Sequence, residues 1–392
     1  MKLRLSVKKG VENSMHYATY FIDIAALLCL LGLLYSNTAL NTERKKPFLI
    51  GITLTIIIIL SEVGTILADN GGIYLRNLNI FSNVLGFSLA PIIPIVITLI
   101  FDKRVLTTHR LWLMPSLINI FAVVLSPIFR FVFYVDSNNQ YLRGRYFFVF
   151  IVVYTINLLF LITSTLDVGK EHNYPIVRKM IGLSFFTVVG TSIQLIEPLA
   201  YTSWHCITLS LFLYFLVMSE FDSSFDTLTG LYNRATFDKT IKEIVKPKKL
   251  SVIILDINDF KSVNDTYGHD YGDRVIKIVA SVIRESFKNN YICYRYGGDE
   301  FSIISKEIDE KKIESQLRTM TNLMAKIREN GKMIPTISYG YSIFTGEETL
   351  DINKVIKEAD DQMYHFKRLH KTELLEKLTL PYTFKMHRQS TL

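Results

Sequence analysis

Two consecutive carboxylates next to a pair of glycines form the stretch of this sequence best suited to chemistry. Apolar, β-prone runs lie on both sides of it, so it is predicted to be the turn of a β-hairpin. Glycines in such a turn allow positive φ, and they leave bare backbone where a bulky ligand can approach. Adjacent carboxylates need a cation or a proton to balance them, which predicts metal or acid–base chemistry. The stretch is Arg295-Tyr296-Gly297-Gly298-Asp299-Glu300-Phe301.

A third carboxylate, Asp256, ends the continuous apolar run Leu250–Leu255. Such a run predicts a strand that is buried on both faces. The carboxyl end of a strand is a common place for chemistry in α/β sheets, although an Asp there would serve equally well as a helix N-cap. The next segment, Asn258–Asp265, opens a predicted helix. Its first N–H groups, together with Lys261, can hold phosphate oxygens.

The elements that carry these residues alternate between helix and strand in the order α-β-α-α-β-β-α-β-α. With one buried strand and a central hairpin, this order predicts a ferredoxin-like α/β sandwich. The predicted elements are a helix through about Val245, the strand Leu250–Leu255, the helix opening at Asn258, the helix Arg274–Phe287, the hairpin Tyr291–Ser305, the helix Glu310–Glu329, the strand Thr336–Phe344, the helix Ile352–Leu369 and a short helical tail at Glu373–Leu378.

Several motifs in this half of the chain together resemble the GGDEF-domain diguanylate cyclases, whose fold is cyclase- or palm-like. The resemblance covers about Asp226 to Lys371, and its motifs are ordered and correctly spaced. It implies that two GTP molecules condense to cyclic di-GMP at the interface of a homodimer, with one GTP held by each domain. The motifs are Asp226–Arg234, Asp256–Lys261 with Asn264-Asp265, Gly268-His269, Gly272-Asp273 and Arg295–Phe301.

The resemblance also implies roles for individual residues. Mg²⁺ or Mn²⁺ would be held by Asp256, Asp299 and the carbonyl of Ile257, since oxygen-only ligands suit these ions. Glu300 matches the residue proposed to help deprotonate the 3′-hydroxyl of GTP. The implied catalytic residues are Glu300, Asp299 and Lys261. The implied GTP-binding residues are Asn264 and Asp273 at the guanine, Asp259, Phe260 and Lys261 at the phosphates, and Arg295, Lys367 and Lys371.

Four residues, in three motifs, depart from the family pattern. Asn258 stands where the family's first motif usually has a second Asp. Lys288 and Tyr291 stand where the family has the Arg-x-x-Asp of its product-inhibition site, so that site is predicted to be absent. Lys371 replaces an Arg and cannot form a bidentate fork with phosphate.

The composition divides the 392 residues into two halves. Overall, 49% of the residues are hydrophobic, and they are concentrated before Met218. The net charge of +8 comes without a basic stripe interleaved with aromatic residues, so it indicates loops beside a membrane rather than nucleic-acid binding. The cysteines Cys29, Cys206 and Cys293 are too widely separated to suggest a disulfide framework or a metal cluster.

Apolar stretches of membrane-spanning length recur through the first half. Basic connections follow the first, third and fifth of them, and the positive-inside rule places those connections in the cytoplasm. Seven spans then put the C-terminal domain in the cytoplasm as well. The predicted spans are Tyr17–Ser36, Phe48–Ala68, Ile80–Phe101, Leu111–Phe131, Tyr146–Leu166, Met180–Ile196 and Trp204–Met218.

The basic N-terminal tail competes with this topology, because it would prefer the cytoplasm and resembles the start of a signal peptide. Cleavage would leave six spans and a C-terminal domain outside the cell, away from GTP. We therefore predict seven uncleaved spans, with six or eight left open. The predicted domains are a tail (1–16), a membrane sensor domain (17–219), a linker (220–225), the GGDEF domain (226–371) and a C-terminal tail (372–392) of a multi-pass cell-membrane protein.

Ionisable residues within the predicted spans suggest how a signal is sensed. Asp23, Glu62, Arg130 and Glu197 fall in the outward-facing part of their helices, with His205 near the start of the last one. Because charged groups at membrane depth tend to pair or to line a cavity, these residues could together form an outward-open pocket for a small polar or cationic ligand. The alternative is that each side chain snorkels to the headgroups.

Two other classes of function stay open at this stage. One is a domain that binds GTP without condensing it and signals through contacts. The other is a transporter with a regulatory tail, for which the sequence would need broken helices related by an internal repeat. Prolines interrupt the apolar stretches, but no repeat is present, and neither a Walker loop nor a His-Glu-x-x-His motif occurs.

Overall fold

The computed structural model divides into two compact units, residues 1–223 and 224–392. The division falls within the predicted linker. The structure describes residues 2–102, 107, 110–172, 177–196, 202–244, 249–288, 290–329, 333–346 and 351–386.

The N-terminal unit is a helical bundle with one small hairpin, which confirms the predicted multi-span helical domain. Six of its described segments are long and apolar enough to cross a membrane. These segments are Tyr17–Ser36, Thr42–Asp69, Ile73–Phe101, Arg110–Phe129, Phe147–Asp167 and Ser203–Asp222. The elements are α1 (Lys2–Ser36), α2 (Thr42–Asp69), α3 (Arg76–Leu89), α4 (Ile93–Phe101), α5 (Met114–Phe129), β1 (Phe133–Val135), β2 (Tyr141–Arg143), α6 (Phe147–His172), α7 (Val177–Ile196) and α8 (Ser203–Asp222).

Helix α7 corresponds to the predicted sixth span, and its apolar part, Lys179–Ile193, is shorter than the other six. Its Ser184 hydroxyl lies 2.8 Å from that of Thr165 on α6 and 2.7 Å from that of Tyr214 on α8. Buried hydroxyl pairs of this kind join helices where water is absent. Helix α7 therefore packs within the bundle, while a seventh crossing of the membrane remains a prediction.

Prolines break the third predicted span. Helix α3 ends at Leu89, a 3₁₀ turn covers Ala90–Ile92, and α4 continues to Phe101. Asn157 on α6 donates from Nδ2 to the Pro91 carbonyl at 2.5 Å and to Ser116 Oγ at 2.8 Å. A buried amide side chain thus supplies a hydrogen-bond partner to a backbone carbonyl at the break, as membrane proteins require at such interruptions.

The C-terminal unit is a five-stranded mixed sheet with helices on both faces, in the strand order β3-β5-β6-β4-β7. The predicted order of helices and strands is confirmed, and the short strand β3 was not predicted. The elements are β3 (Tyr232–Asn233), α9 (Arg234–Glu243), β4 (Leu250–Ile257), α10 (Phe260–Tyr267), α11 (His269–Ser286), β5 (Tyr291–Arg295), β6 (Glu300–Ser305), α12 (Glu310–Glu329), β7 (Ile337–Phe344) and α13 (Ile352–Met386).

Strand β4 is buried along its whole length because both of its faces are covered. Ile253 and Leu255 belong to the core beneath α11 and α12, whereas Val252 and Ile254 pack against α13. A continuous apolar run is the sequence pattern that such a two-sided strand requires. β4 is paired with β6 on one side and β7 on the other, both antiparallel, so its carboxyl end lies at the centre of one sheet edge.

Helix α13 joins two helices that the sequence pattern separates. It runs without a break from Ile352 to Met386, through the predicted helix and the predicted helical tail. No closing strand follows Lys371 within the described residues. Lys367 and Lys371 consequently lie on a continuous helix.

Candidate active site

The acidic residues predicted for the site converge at one edge of the sheet. Asp256, near the end of β4, is the direct register partner of Glu300, the first residue of β6. The backbone N–H of Ile257 donates to the carbonyl of Asp299 at 3.2 Å, so the turn is tied to the end of β4. The structure therefore places Asp256, Ile257, Asp299 and Glu300 together, although Asp256 and Glu300 are far apart in sequence.

Negative charge is crowded at this edge. Burial raises the pKa of Asp256, the Lys367 ammonium at 2.6 Å opposes that rise, and Asp299 and Asp360 add to it. Burial likewise raises the pKa of Glu300, and Asp256 and Asp299 raise it further. Four carboxylates, those of Asp256, Asp299, Glu300 and Asp360, share this region with the Lys367 ammonium group. Their excess negative charge would stabilise a bound cation.

The donor set at this edge fits a divalent cation that shares its coordination with a phosphate ligand. Among the described side chains, no group of three or more His, Cys, Asp or Glu could hold a metal ion by itself. Mg²⁺ is commonly held by one or two carboxylates together with substrate phosphates rather than by a complete protein cage. Asp256, Asp299 and the Ile257 carbonyl supply only oxygen atoms, as this ion prefers.

The two turn glycines do not adopt the left-handed backbone conformation that favours glycine. Positive φ occurs among the described glycines at Gly230, Gly268 and Gly346, and therefore not at Gly297 or Gly298. A Cβ added to Gly298 would meet no atom within 4 Å, whereas one on Gly297 would lie 2.7 Å from Glu300 Oε2. The bare backbone at Gly298 leaves open space that a ligand can enter.

The start of α10 has the features of an anion site. Asp259 precedes the helix in the left-handed conformation, with φ of 52°, and its side chain makes no capping hydrogen bond. The first N–H groups of a helix have no partner within the helix, so they can bind a phosphate. Phe260 anchors this helix against the core, and Lys261 is exposed beside it.

The predicted guanine-reading residues flank a close contact between α10 and α11. The Asn264 Oδ1 atom is buried without a hydrogen-bond partner. A Cβ on Gly272 would overlap this oxygen, so a larger residue there would displace the Asn264 side chain. An unsatisfied buried acceptor is costly, and an N–H group of a bound base would satisfy it. Asp273 is exposed next to Gly272.

Asn258, which departs from the family's first motif, takes part in a buried hydrogen-bond network. It is 4% exposed, donates from Nδ2 to Thr336 Oγ1 at 2.9 Å, and accepts from Ser338 Oγ at 2.8 Å. The Thr336 hydroxyl lies 3.1 Å from Nε2 of His370 on α13. A cavity of about 440 Å³ beside α10 is lined by Asn258, Thr336 and His370 of this network and by Asp259. The amide of Asn258 thus donates a hydrogen bond through Nδ2 and accepts one through Oδ1.

Arg295 supports the hairpin turn through a contact that local sequence patterns did not reveal. Its guanidinium donates to Asp226 Oδ1 at 3.1 Å and to the Gly298 carbonyl at 2.8 Å. Burial raises the pKa of Asp226, but hydrogen bonds from Thr229 and Arg295 outweigh it and hold the pKa below its usual value. Arg295 therefore links Asp226 to the hairpin turn and holds the turn in place. The predicted contact of Arg295 with GTP stays a proposal.

The predicted sensor residues lie in three different settings. Asp23 is buried and hydrogen-bonded to His205, and Glu62 accepts a hydrogen bond from the Trp204 indole. Arg130 is the exposed C-cap of α5, with its guanidinium 5.0 Å from the centre of the Tyr134 ring. Glu197 lies outside the described residues.

The fold and the site define an α/β domain with an acidic hairpin turn beside the carboxyl end of its buried strand β4. Residues 223–373 match the family described as "Diguanylate cyclase, GGDEF domain". This part of the chain is a GGDEF domain.

Several proteins are similar to this chain over the same region. Diguanylate cyclase VdcA of Vibrio cholerae is 33% identical over 159 residues, which are 39% of this chain and 47% of VdcA. The membrane protein SERP0413 of Staphylococcus epidermidis is 26% identical over 197 residues, 47% of this chain and 51% of that protein. The chain thus spans about half the length of these two relatives. Among solved structures, the crystal structure of the GGDEF domain of DgcB from Caulobacter crescentus in complex with c-di-GMP is similar to this chain. The two share 30% sequence identity with a TM-score of 0.33, and the match covers 37% of this chain and 91% of the DgcB chain.

Proposed function

We propose that this chain is a membrane-bound diguanylate cyclase that condenses two GTP molecules to cyclic di-GMP and two pyrophosphates. The observation that carries the proposal is the convergence of Asp256, Asp299 and Glu300 beside the open turn at Gly298. The GGDEF assignment of residues 223–373 and the activity named for VdcA support it.

In the proposed reaction, the 3′ oxygen of each GTP attacks the α-phosphorus of the other across a homodimer. A new phosphorus–oxygen bond forms, the bond from the α-phosphorus to the β-phosphate oxygen breaks, and pyrophosphate leaves. Glu300 accepts the proton of the 3′-hydroxyl, and its raised pKa suits a group that must take up a proton. Since each domain holds only one GTP, neither half-reaction proceeds in a monomer.

The remaining site residues bind and orient the triphosphate. Asp256, Asp299 and the Ile257 carbonyl would hold Mg²⁺ or Mn²⁺, which neutralises phosphate charge and polarises the phosphoryl oxygens when bound. Backbone N–H groups at Asp259 and Phe260 would bind the phosphates. The lysines proposed to contact them are Lys261, Lys367 and Lys371. Asn264 and Asp273 would read the guanine, because a carboxylate accepts from guanine N1–H and N2–H.

We further propose that the N-terminal unit regulates the cyclase in response to a signal, with the GGDEF domain in the cytoplasm. Incubation of the purified full chain with GTP and Mg²⁺, followed by product identification, tests the activity. We expect cyclic di-GMP from GTP and no cyclic product from ATP. GTP binding without any product would favour the binding-only class.

Regulation by the N-terminal unit is tested separately. Equal activity of the full chain and of an Asp222–Leu392 fragment under all conditions would contradict it.

The cyclase is expected to lack product inhibition through the family's Arg-x-x-Asp site. Lys288 is exposed at the equivalent position, and the Tyr291 ring packs edge-on against Phe287 at 5.3 Å between ring centres. A tyrosine held in this way cannot supply the missing carboxylate. Progress curves with and without added cyclic di-GMP should therefore show no non-competitive inhibition, and strong inhibition at low product concentration would contradict this expectation.

A further inference from the structure

The N-terminal unit contains a cavity of about 350 Å³ between α2, α3, α6 and the start of α8. This volume is at the lower end of the range for small-molecule sites, about 300–1,000 Å³. The cavity adjoins the end of α2 that carries Asp69, so it lies at the opposite end of this helix from the basic residues Arg44, Lys45 and Lys46. Glu62 is the predicted sensor residue that lines it, and Arg130 does not.

Hydrogen-bond acceptors dominate the polar wall of the cavity on α2. The Ser61 hydroxyl donates to the Ile58 carbonyl at 2.7 Å, and the Thr65 hydroxyl donates to the Ser61 carbonyl at 3.1 Å. Each hydroxyl has only one hydrogen to donate, so its oxygen can offer a ligand only lone pairs. Between them on the same helix, the Glu62 carboxylate accepts from the Trp204 indole. Such a wall is complementary to a ligand that brings its own donors.

The opposite wall is aromatic. Phe87 and Phe150 meet edge to face, with ring centres 5.0 Å apart. At the rim, the guanidinium of Arg143 lies over the Phe147 ring, 4.6 Å from its centre. An aromatic face in this cavity thus already binds a cation, and cation–π attraction strengthens when the cation is removed from water. The aromatic residues that line the cavity are Phe87, Tyr141, Phe147, Phe150, Tyr154 and Trp204.

The charges that line the cavity favour a positive ligand. Glu62 and Asp69 line it, while Arg143 is the one basic residue among its described lining residues and is exposed. His205 does not line the cavity and is paired with Asp23. Carboxylates inside a bundle of membrane helices are expensive and are commonly matched by a cation.

We propose that this cavity binds a small organic amine, with its ammonium group at Glu62 and its apolar body against the aromatic wall. An ammonium group has three donors and no acceptor, so it matches the acceptor wall. A neutral analogue would lose the charge pairing, and an anionic analogue would be repelled by both carboxylates.

The two tryptophans of the chain make a direct binding measurement possible. Trp204 lines the cavity, whereas Trp112 stacks on Phe160 outside its lining. A full-length Trp112→Phe variant in phosphatidylglycerol nanodiscs has Trp204 as its single tryptophan. Titration with phenethylamine should change Trp204 fluorescence saturably, because the ammonium group competes with the indole for Glu62. The neutral 2-phenylethanol and the anionic 3-phenylpropionate should bind at least about tenfold more weakly.

Substitutions locate the binding. Glu62→Gln should weaken phenethylamine binding at least about tenfold. The control Glu43→Gln removes an exposed carboxylate from the other end of α2 and should leave binding unchanged. Arg143→Ala should tighten binding about threefold because a like charge leaves the rim. A folding defect would weaken binding, so this variant keeps the test decisive if Glu62→Gln does not fold.

The source of the amine is tested by replacing the lipid with phosphatidylethanolamine. If the lipid headgroup is the amine, this lipid should shift the fluorescence in advance and suppress the phenethylamine titration. If the amine is a free solute, the titration should be the same in both lipids. The proposal is overturned if no titration saturates, if the alcohol binds as well as the amine, or if Glu62→Gln binds like Glu43→Gln.

Discussion

Glu300→Gln is expected to reduce cyclic di-GMP formation by at least about a hundredfold while GTP still binds. Gln has the shape of Glu but cannot accept the 3′-hydroxyl proton. Glu300 begins β6 at the open turn and is half-buried, so the change removes no core packing. Steady-state turnover with GTP and Mg²⁺, together with GTP binding measured in Ca²⁺, separates loss of chemistry from loss of substrate.

The same variant has a distinctive effect on stability. Burial and the carboxylates of Asp256 and Asp299 raise the pKa of Glu300, so the folded domain holds its proton more tightly than the unfolded chain does. Wild-type stability should therefore fall as pH rises through this raised pKa, and the Gln variant should lack that contribution. Without divalent ions, the melting temperature of the wild type should fall relative to that of Glu300→Gln as the pH is raised from 4 towards 7.

The matched control is Glu285→Gln, which neutralises an exposed carboxylate on α11. Its turnover and its pH–stability profile should resemble those of the wild type. Turnover of Glu300→Gln close to the wild-type rate would contradict the proposed role of Glu300 as proton acceptor. It would leave the GGDEF assignment itself unaffected.

The sequence was most informative where one local pattern fixes both an element and its chemistry. The apolar run before Asp256 predicted a strand covered on both faces, and β4 is buried throughout. The paired glycines predicted the turn between β5 and β6. In these cases a single period or turn signal determines where the side chain goes, because the constraint is contained in neighbouring residues.

Contacts between distant residues could not be predicted in this way. Lys367 and Asp256 are 111 positions apart, and Arg295 and Asp226 are 69 apart. No periodicity links such pairs, since they meet only when α13 and the Asp226 turn pack against the sheet. The membrane unit gives the same lesson. Arg130 was predicted to share a pocket with Glu62, but the β1–β2 hairpin brings Arg143 there instead.

Gly340→Ala is expected to destabilise the GGDEF domain and to impair catalysis although Gly340 is not one of the predicted site residues. A Cβ at this position in β7 would overlap two backbone atoms of α13, the Ala359 carbonyl oxygen and the Met363 nitrogen. Backbone atoms cannot rotate away as a side chain can, so the helix must lift from the sheet. Lys367 follows one turn later on the same helix, and its 2.6 Å contact with Asp256 would be lost.

The predicted change in the free energy of unfolding has the opposite sign to that of an ordinary Gly-to-Ala substitution in a strand. Ala in place of Gly inside a strand ordinarily stabilises by about 0.5–1 kcal/mol through the lower entropy of the unfolded chain. Overpacking against α13 should instead cost about 1–3 kcal/mol in the free energy of unfolding. Urea unfolding of the Asp222–Leu392 fragment measures this, with Gly298→Ala as the control, because a methyl group there meets nothing within 4 Å. If Gly340→Ala proved as stable as the wild type, α13 could not rest on β7 at this glycine, and the position of Lys367 beside Asp256 would have to be abandoned with it.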